Sequence, residues 1–201
     1  MSFHPLMLYD PAHFQHSERK LVEEGPPFTF TPQRRQALDE LLPKYPPDRK
    51  RSAVLAALYL VQEQQGFLTA NGMRHVAEIL DMTPAEVEDV ASYYVMFFKE
   101  KVGKYVLQVC RTLSCALAGA ERVTETLSET LGIRPGETDP SGMFTLLEFE
   151  CLGACDRAPI VMVNNEHWHE HATPESCSKL VDDIKARGVD ALSGCHLEVE
   201  R

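Results

Sequence analysis

The sequence lacks any apolar run of the roughly 18 residues that a membrane-spanning helix needs. Its opening, MSFHPLMLYDPAHFQHSERK, lacks the basic head and apolar stretch of a secretory signal. Positive charge is scarce: 20 Lys and Arg stand against 30 Asp and Glu, a net charge of −10. That balance excludes nucleic acid and anionic membrane surfaces as partners, since both attract basic faces. No G-x-G-x-x-G follows a strand, so the dinucleotide-binding fingerprint is missing. No C-x-x-C opens a helix, which argues against a thioredoxin-type dithiol. These absences lead us to expect a soluble, cytoplasmic protein without direct membrane insertion.

Cysteine is present, with six residues in 201. In a reducing compartment structural disulfides are rare, and paired cysteines there are more often metal ligands or catalytic thiols. Four of the six fall into two short pairs, Cys110–Cys115 in VCRTLSC and Cys151–Cys155 in ECLGAC.

The chain around them divides by pattern. Residues 1–30 hold no helical or strand period and read as an extended arm, either a tail or a strap that orders on a partner. Residues 31–100 read as a small helical bundle of four amphipathic helices. Thr31 caps the first before Pro32, with Leu38, Leu41 and Leu42 as its stripe. PPDRKRSAVLAALYLVQEQQG forms the second, with Val54, Leu55, Leu58 and Val61 inward and Gly66 as its stop. Thr69 caps the third, facing inward with Met73, Val76, Ala77 and Leu80, and the TPAE capping box opens the fourth. The basic run KYPPDRKR at 44–51 reads as the solvated start of the second helix.

Residues 101–188 change to α+β character. KYVLQVC is a strand ending on Cys110, followed by a helix over CALAGAERVTETLSETLG and a strand over MFTLLEFE. PIVMVN is a third strand, His167–His169 a short fourth, and Thr173 caps a last helix that Gly188 closes. A right-handed crossover makes the first two strands parallel, and the later pair returns as a hairpin, which is the thioredoxin-like arrangement. Residues 189–201 show no clear element.

Both cysteine pairs then lie in loops directly after strands, at one end of the sheet. Four thiolates in two short pairs suit a tetrahedral zinc or a [2Fe–2S] cluster with two thiolates per iron, and spacing alone leaves both open. Gly153 and Ala154 leave room for backbone N–H groups to reach sulfur, and Ser114 and Ala116 leave similar room at the first pair. Cys177 lies on the apolar stripe of Leu180, Val181 and Ile184 and reads as a buried structural thiol, while Cys195 has no partner spacing. His167, His169 and His171 share a face if HWHEH is a strand, but no acid or cysteine converges there by spacing, so a turn leading into the last helix is favoured over a metal site.

The stretches YPPDRKRSAVLAALYLVQEQQGFLT, SYYVMF, VGKYVLQVC and LGIRPGETDPSGMFTLLEFECLGACDRAPIVMVN resemble the E-type subunit of bacterial NADH-quinone oxidoreductase. That family comprises the small thioredoxin-like [2Fe–2S] proteins of the electron-input module of respiratory complex I. The resemblance spans about residues 45–187, and RTLS in the first cysteine loop and HWHEH depart from the expected forms. It implies Cys110, Cys115, Cys151 and Cys155 as cluster ligands, one [2Fe–2S] cluster per chain and no catalytic residue in this chain. It further implies a flavoprotein partner that carries FMN, the NADH site and a [4Fe–4S] cluster, within a complex on the cytoplasmic face of the inner membrane. The cluster would exchange one electron with the FMN. The alternatives are the equivalent subunit of an NAD-linked hydrogenase or formate dehydrogenase, or a zinc-stapled interaction module.

Overall fold

The computed structural model describes residues 22–192. The chain forms two compact units that divide between Glu100 and Lys101. No helix among the described residues is long and apolar enough to cross a membrane.

The first unit is built by capped helices. Helix α1 spans Pro32–Leu41, α2 Val54–Gln65, α3 Ala70–Leu80 and α4 Pro84–Tyr93. Thr31, Thr69 and Thr83 each accept a hydrogen bond from an amide in the first turn of the helix that follows. Thr83 and Glu86 complete a reciprocal capping box, worth about 1 kcal/mol to the helix. Gly66 ends α2 in the left-handed conformation, as a helix-terminating glycine does. The inward stripes meet in a core of Leu38, Leu58, Val61, Leu68, Val76, Leu80 and Val87. Gln62 is buried in this unit, donating to the Met96 carbonyl and accepting from the Phe98 amide, so it fixes the chain that leaves α4.

Two details differ from the sequence expectation. The basic run does not start α2: Pro47–Ala53 is a 3-10 turn kinked at Arg49, and α2 begins at Val54. Its charges pair across the unit, Lys50 with Asp81 and Arg51 with Glu86. Residues 22–30 of the expected arm pack on this same unit. The Glu23 and Glu24 carbonyls accept from the Ala70 and Asn71 amides, and Phe28 is buried against the His75 ring. Residues 1–21 lie outside the described residues.

The second unit is α+β and thioredoxin-like. Strand β1 (Tyr105–Cys110) is followed by α5 (Leu113–Leu117), α6 (Ala120–Leu131), β2 (Phe144–Phe149), β3 (Val161–Val163), β4 (His167–His169) and α7 (Pro174–Arg187). The sheet order is β2-β1-β3-β4, with β1 parallel to β2 and the others antiparallel. Every residue of β1 is buried, as expected of a strand covered on both faces. Leu107, Val109, Leu146 and Val161 form a core with Val123 and Leu127 of α6 and Leu180, Val181 and Ile184 of α7. The β3–β4 hairpin turns through Asn164 and Asn165, both at positive φ as a type I′ turn requires. Asn164 accepts from the Val106 amide, and buried Gln108 exchanges two hydrogen bonds with Asn165, so β1 holds the turn directly.

Two expectations here are also corrected. The helix expected from Cys115 is two helices, broken at Gly119, whose φ of +100° a side chain would resist. Residues 189–192, expected as irregular tail, form with Gly188 a 3-10 turn that buries Leu192 in the core. The remaining tail residues, 193–201, lie outside the described residues.

Gly103 leads into β1 where its backbone passes tightly over β2. A Cβ there would lie 2.8 Å from the Phe144 carbonyl carbon and 2.9 Å from its nitrogen. Gly103→Ala is therefore expected to destabilise the second unit by about 1–3 kcal/mol, the usual cost of overpacking. Urea unfolding followed by Trp168, the single tryptophan and a β4 residue, measures the loss.

Candidate metal centre

Cys110 is the last residue of β1 and is in register with Phe149, the last residue of β2. Because the two strands are parallel, the segments that leave them emerge at the same end of the sheet. Arg111 continues the ladder by donating to the Phe149 carbonyl, and its guanidinium pairs with Glu150 at 2.7 Å. Thr112 then opens α5, which presents Cys115 one turn from the strand end. On the other side Cys151 follows β2, the chain turns through Gly153 at φ +81°, and Cys155 begins a 3-10 turn. The expectation of loop positions after the strands holds for Cys151, whereas Cys110 is the last residue of β1, Cys115 is carried on a short helix and Cys155 opens a 3-10 turn.

The four thiols converge. The Cys151 and Cys155 sulfurs lie 3.9 Å apart, and Cys110 and Cys115 each shift the other's titration. The two pairs also feel each other's charge, Cys110 acting on Cys151 and Cys155 on Cys115. Cys110 and Cys115 are buried, while Cys151 and Cys155 are exposed. No disulfide links them.

Backbone N–H groups surround the sulfurs. Burial pushes the Cys110 thiol up, but the Thr112 hydroxyl and the Thr112 and Leu152 amides bring it below its ordinary value. The Gly153 amide, the Thr112 hydroxyl and the Cys155 thiol hold Cys151 low. Cys115 is pushed up to about 11 by burial and by the Cys110 thiol, against the Ile160 amide. A site whose donors favour negative sulfur is one that holds thiolates and, through them, a cation.

Two sulfurs bound to one tetrahedral ion at about 2.3 Å stand about 3.8 Å apart, which matches the Cys151–Cys155 separation. That spacing serves a tetrahedral zinc and one iron of a [2Fe–2S] centre alike.

The other sequence candidates fall elsewhere. Cys177 is buried on α7, with burial pushing its thiol up to about 11, and Cys195 lies outside the described residues. His167 and His169 lie on β4, but His171 follows the strand at φ +48° and so leaves the strand's alternation. His169 is within 2.9 Å of the Ser176 hydroxyl, and burial pushes its imidazole pKa down. The HWHEH stretch braces the second cysteine loop. Glu170 takes two hydrogen bonds from the Arg157 guanidinium at 2.8 and 2.9 Å, and the His171 amide donates to the Arg157 carbonyl. The sequence reading missed this brace, because nothing in a 13-residue separation marks two opposite charges as neighbours.

Parallel strands ending in convergent cysteine pairs, flanked by an antiparallel hairpin, define a thioredoxin-like iron–sulfur protein. Residues 38–185 match the thioredoxin-like [2Fe–2S] ferredoxin family, and the chain belongs to that family. Its cofactor is accordingly a [2Fe–2S] cluster. The chain is 41% identical to NADH-quinone oxidoreductase subunit 2 of Thermus thermophilus, over 78% of this chain and 87% of that protein. It is 40% identical to the E-type subunit of NADH-quinone oxidoreductase of Rickettsia felis, over 78% of this chain and 93% of the other. Among solved structures it is similar in fold to an NAD⁺-reducing [NiFe]-hydrogenase, with a TM-score of 0.59 and 21% identity. That likeness covers 67% of this chain and 23% of the hydrogenase chain.

The brace is testable by itself. Glu170→Ala is expected to cost about 1 kcal/mol, since the pair is partly exposed and solvent screens it. Hydrogen exchange should locate the loss, with amides of residues 151–158 exchanging faster and those of β1 unchanged.

Proposed function

We propose that the chain is the electron-transfer subunit of an NADH-oxidising complex, the counterpart of the E-type subunit of NADH-quinone oxidoreductase. Cys110 and Cys115 hold one iron of its [2Fe–2S] cluster, and Cys151 and Cys155 hold the other. The convergence of four thiols at the shared end of parallel β1 and β2 carries this reading. When bound, the cluster supplies reversible one-electron transfer, and the partner for that exchange is the FMN of a flavoprotein subunit.

The chain's own residues supply position and electrostatics. The sheet fixes the distance between the two pairs. Burial of Cys110 and Cys115 keeps water from the inner side, and exposure of Cys151 and Cys155 leaves the outer side open to a partner. Amides of Thr112, Leu152, Gly153 and Ile160 donate to the sulfurs and so favour added negative charge there. NADH and FMN belong to the partner, in keeping with the missing dinucleotide fingerprint. The complex sits at the cytoplasmic face of the inner membrane, and this protein joins it through the flavoprotein and other peripheral subunits.

Anaerobic purification tests the reading. The protein should be red-brown, carry about two irons and two sulfides per chain, and give an electron-spin signal after dithionite reduction. Serine at Cys110, Cys115, Cys151 or Cys155 should remove most of the cluster, whereas Cys177→Ala should keep it. Pull-down from the source cells should recover a flavin-containing subunit. A colourless protein with one zinc per chain contradicts the assignment.

A further inference from the structure

Thr112 occupies the residue before α5, with extended φ and ψ of −80° and 169°, and its carbonyl accepts from the Ala116 amide at 2.9 Å. Elsewhere in the chain, threonines at this position use their hydroxyl on the helix. Thr31 accepts from Arg34, Thr69 from Gly72, Thr83 from Glu86 and Thr173 from Ser176. Thr112 makes no such side-chain cap. Its Oγ1 instead lies 3.2 Å from Cys110 Sγ.

A hydroxyl carries one proton and two lone pairs. Thiolates bound to metal have no proton to give, so the Thr112 O–H must be the donor toward whichever sulfur it faces. A donor to sulfur stabilises the more negative, reduced state and raises the reduction potential. The surrounding amides do the same, but the hydroxyl is a donor that substitution can delete without changing the backbone.

We infer that Thr112 is a positioning residue for the cluster, its hydroxyl donating to the Cys110 sulfur and raising the cluster's reduction potential. The inference rests on the proposal that the four cysteines ligate the [2Fe–2S] cluster.

A redox titration of the cluster-loaded protein, followed by its electron-spin signal, tests this. Thr112→Val keeps the size and shape of the side chain and removes the hydroxyl, Thr112→Ala removes it without added bulk, and Thr112→Ser retains it. We expect the valine and alanine variants to favour the oxidised cluster roughly tenfold, a drop of about 59 mV for one electron. Thr112→Ser should titrate with the natural chain. Iron and sulfide content should be equal in all four proteins. An intact cluster with unchanged potential in Thr112→Val and Thr112→Ala overturns the role of Thr112 alone, as does an equal shift in Thr112→Ser. A natural chain without iron and sulfide overturns the ligand assignment as well.

Discussion

Backbone hydrogen bonds between β1 and β2, running in parallel from Tyr105–Phe144 to Cys110–Phe149, bring two distant chain segments out at one end of the sheet. The cysteine site depends on that pairing more than on any side chain. A parallel pair needs a crossover, and α6 provides it, burying Val123 and Leu127 on the sheet. An antiparallel β2 would have sent the Cys151–Cys155 loop to the opposite end. The buried position of β1, covered on both faces, makes its final residue a fixed point from which Cys110 is placed. Burial of the strand thereby becomes precision at the thiol.

Around this frame a second set of interactions holds the loops. Gln108 anchors the Asn164–Asn165 turn and so the position of β4, and Glu170 just beyond β4 holds Arg157 beside the second cysteine pair. A buried amide on β1 is thus linked, through the hairpin, to the loop that carries Cys151 and Cys155. The capping box at Thr173 and Ser176 fixes the start of α7 and at the same time gives His169 its partner. The stretch that reads as histidine-rich in the sequence supports the neighbouring cysteine loop through Glu170 and the His171 amide. Amide donors crowd the sulfurs because tight turns at Gly153 and after Cys110 bend the backbone over them.

Much of this was legible in the sequence because it follows from local rules. Threonine–proline starts, glycine stops and apolar periods mark the helices, and the cysteine spacings mark the site. Parallel β1 and β2 followed from the handedness of a β-α-β crossover. What escaped was set by tertiary contact or by single backbone angles. Gly119 breaks a helix that its neighbours favour, and Arg49 interrupts another. Leu192 looks like part of a polar tail until the core receives it, and Phe28 looks like part of a free arm until it meets His75. The Thr112 hydroxyl reads as a helix cap by type and position, and only the geometry shows that it points at sulfur.

The central claim is that two cysteine pairs, brought together by parallel strands, each hold one iron. A crystal structure of the anaerobically purified protein, with anomalous data collected at the iron edge, tests it most directly. The account predicts two iron peaks at the end of β1 and β2, one against the Cys110 and Cys115 sulfurs and the other against Cys151 and Cys155. One peak shared by all four sulfurs, or a zinc signal in its place, would contradict it.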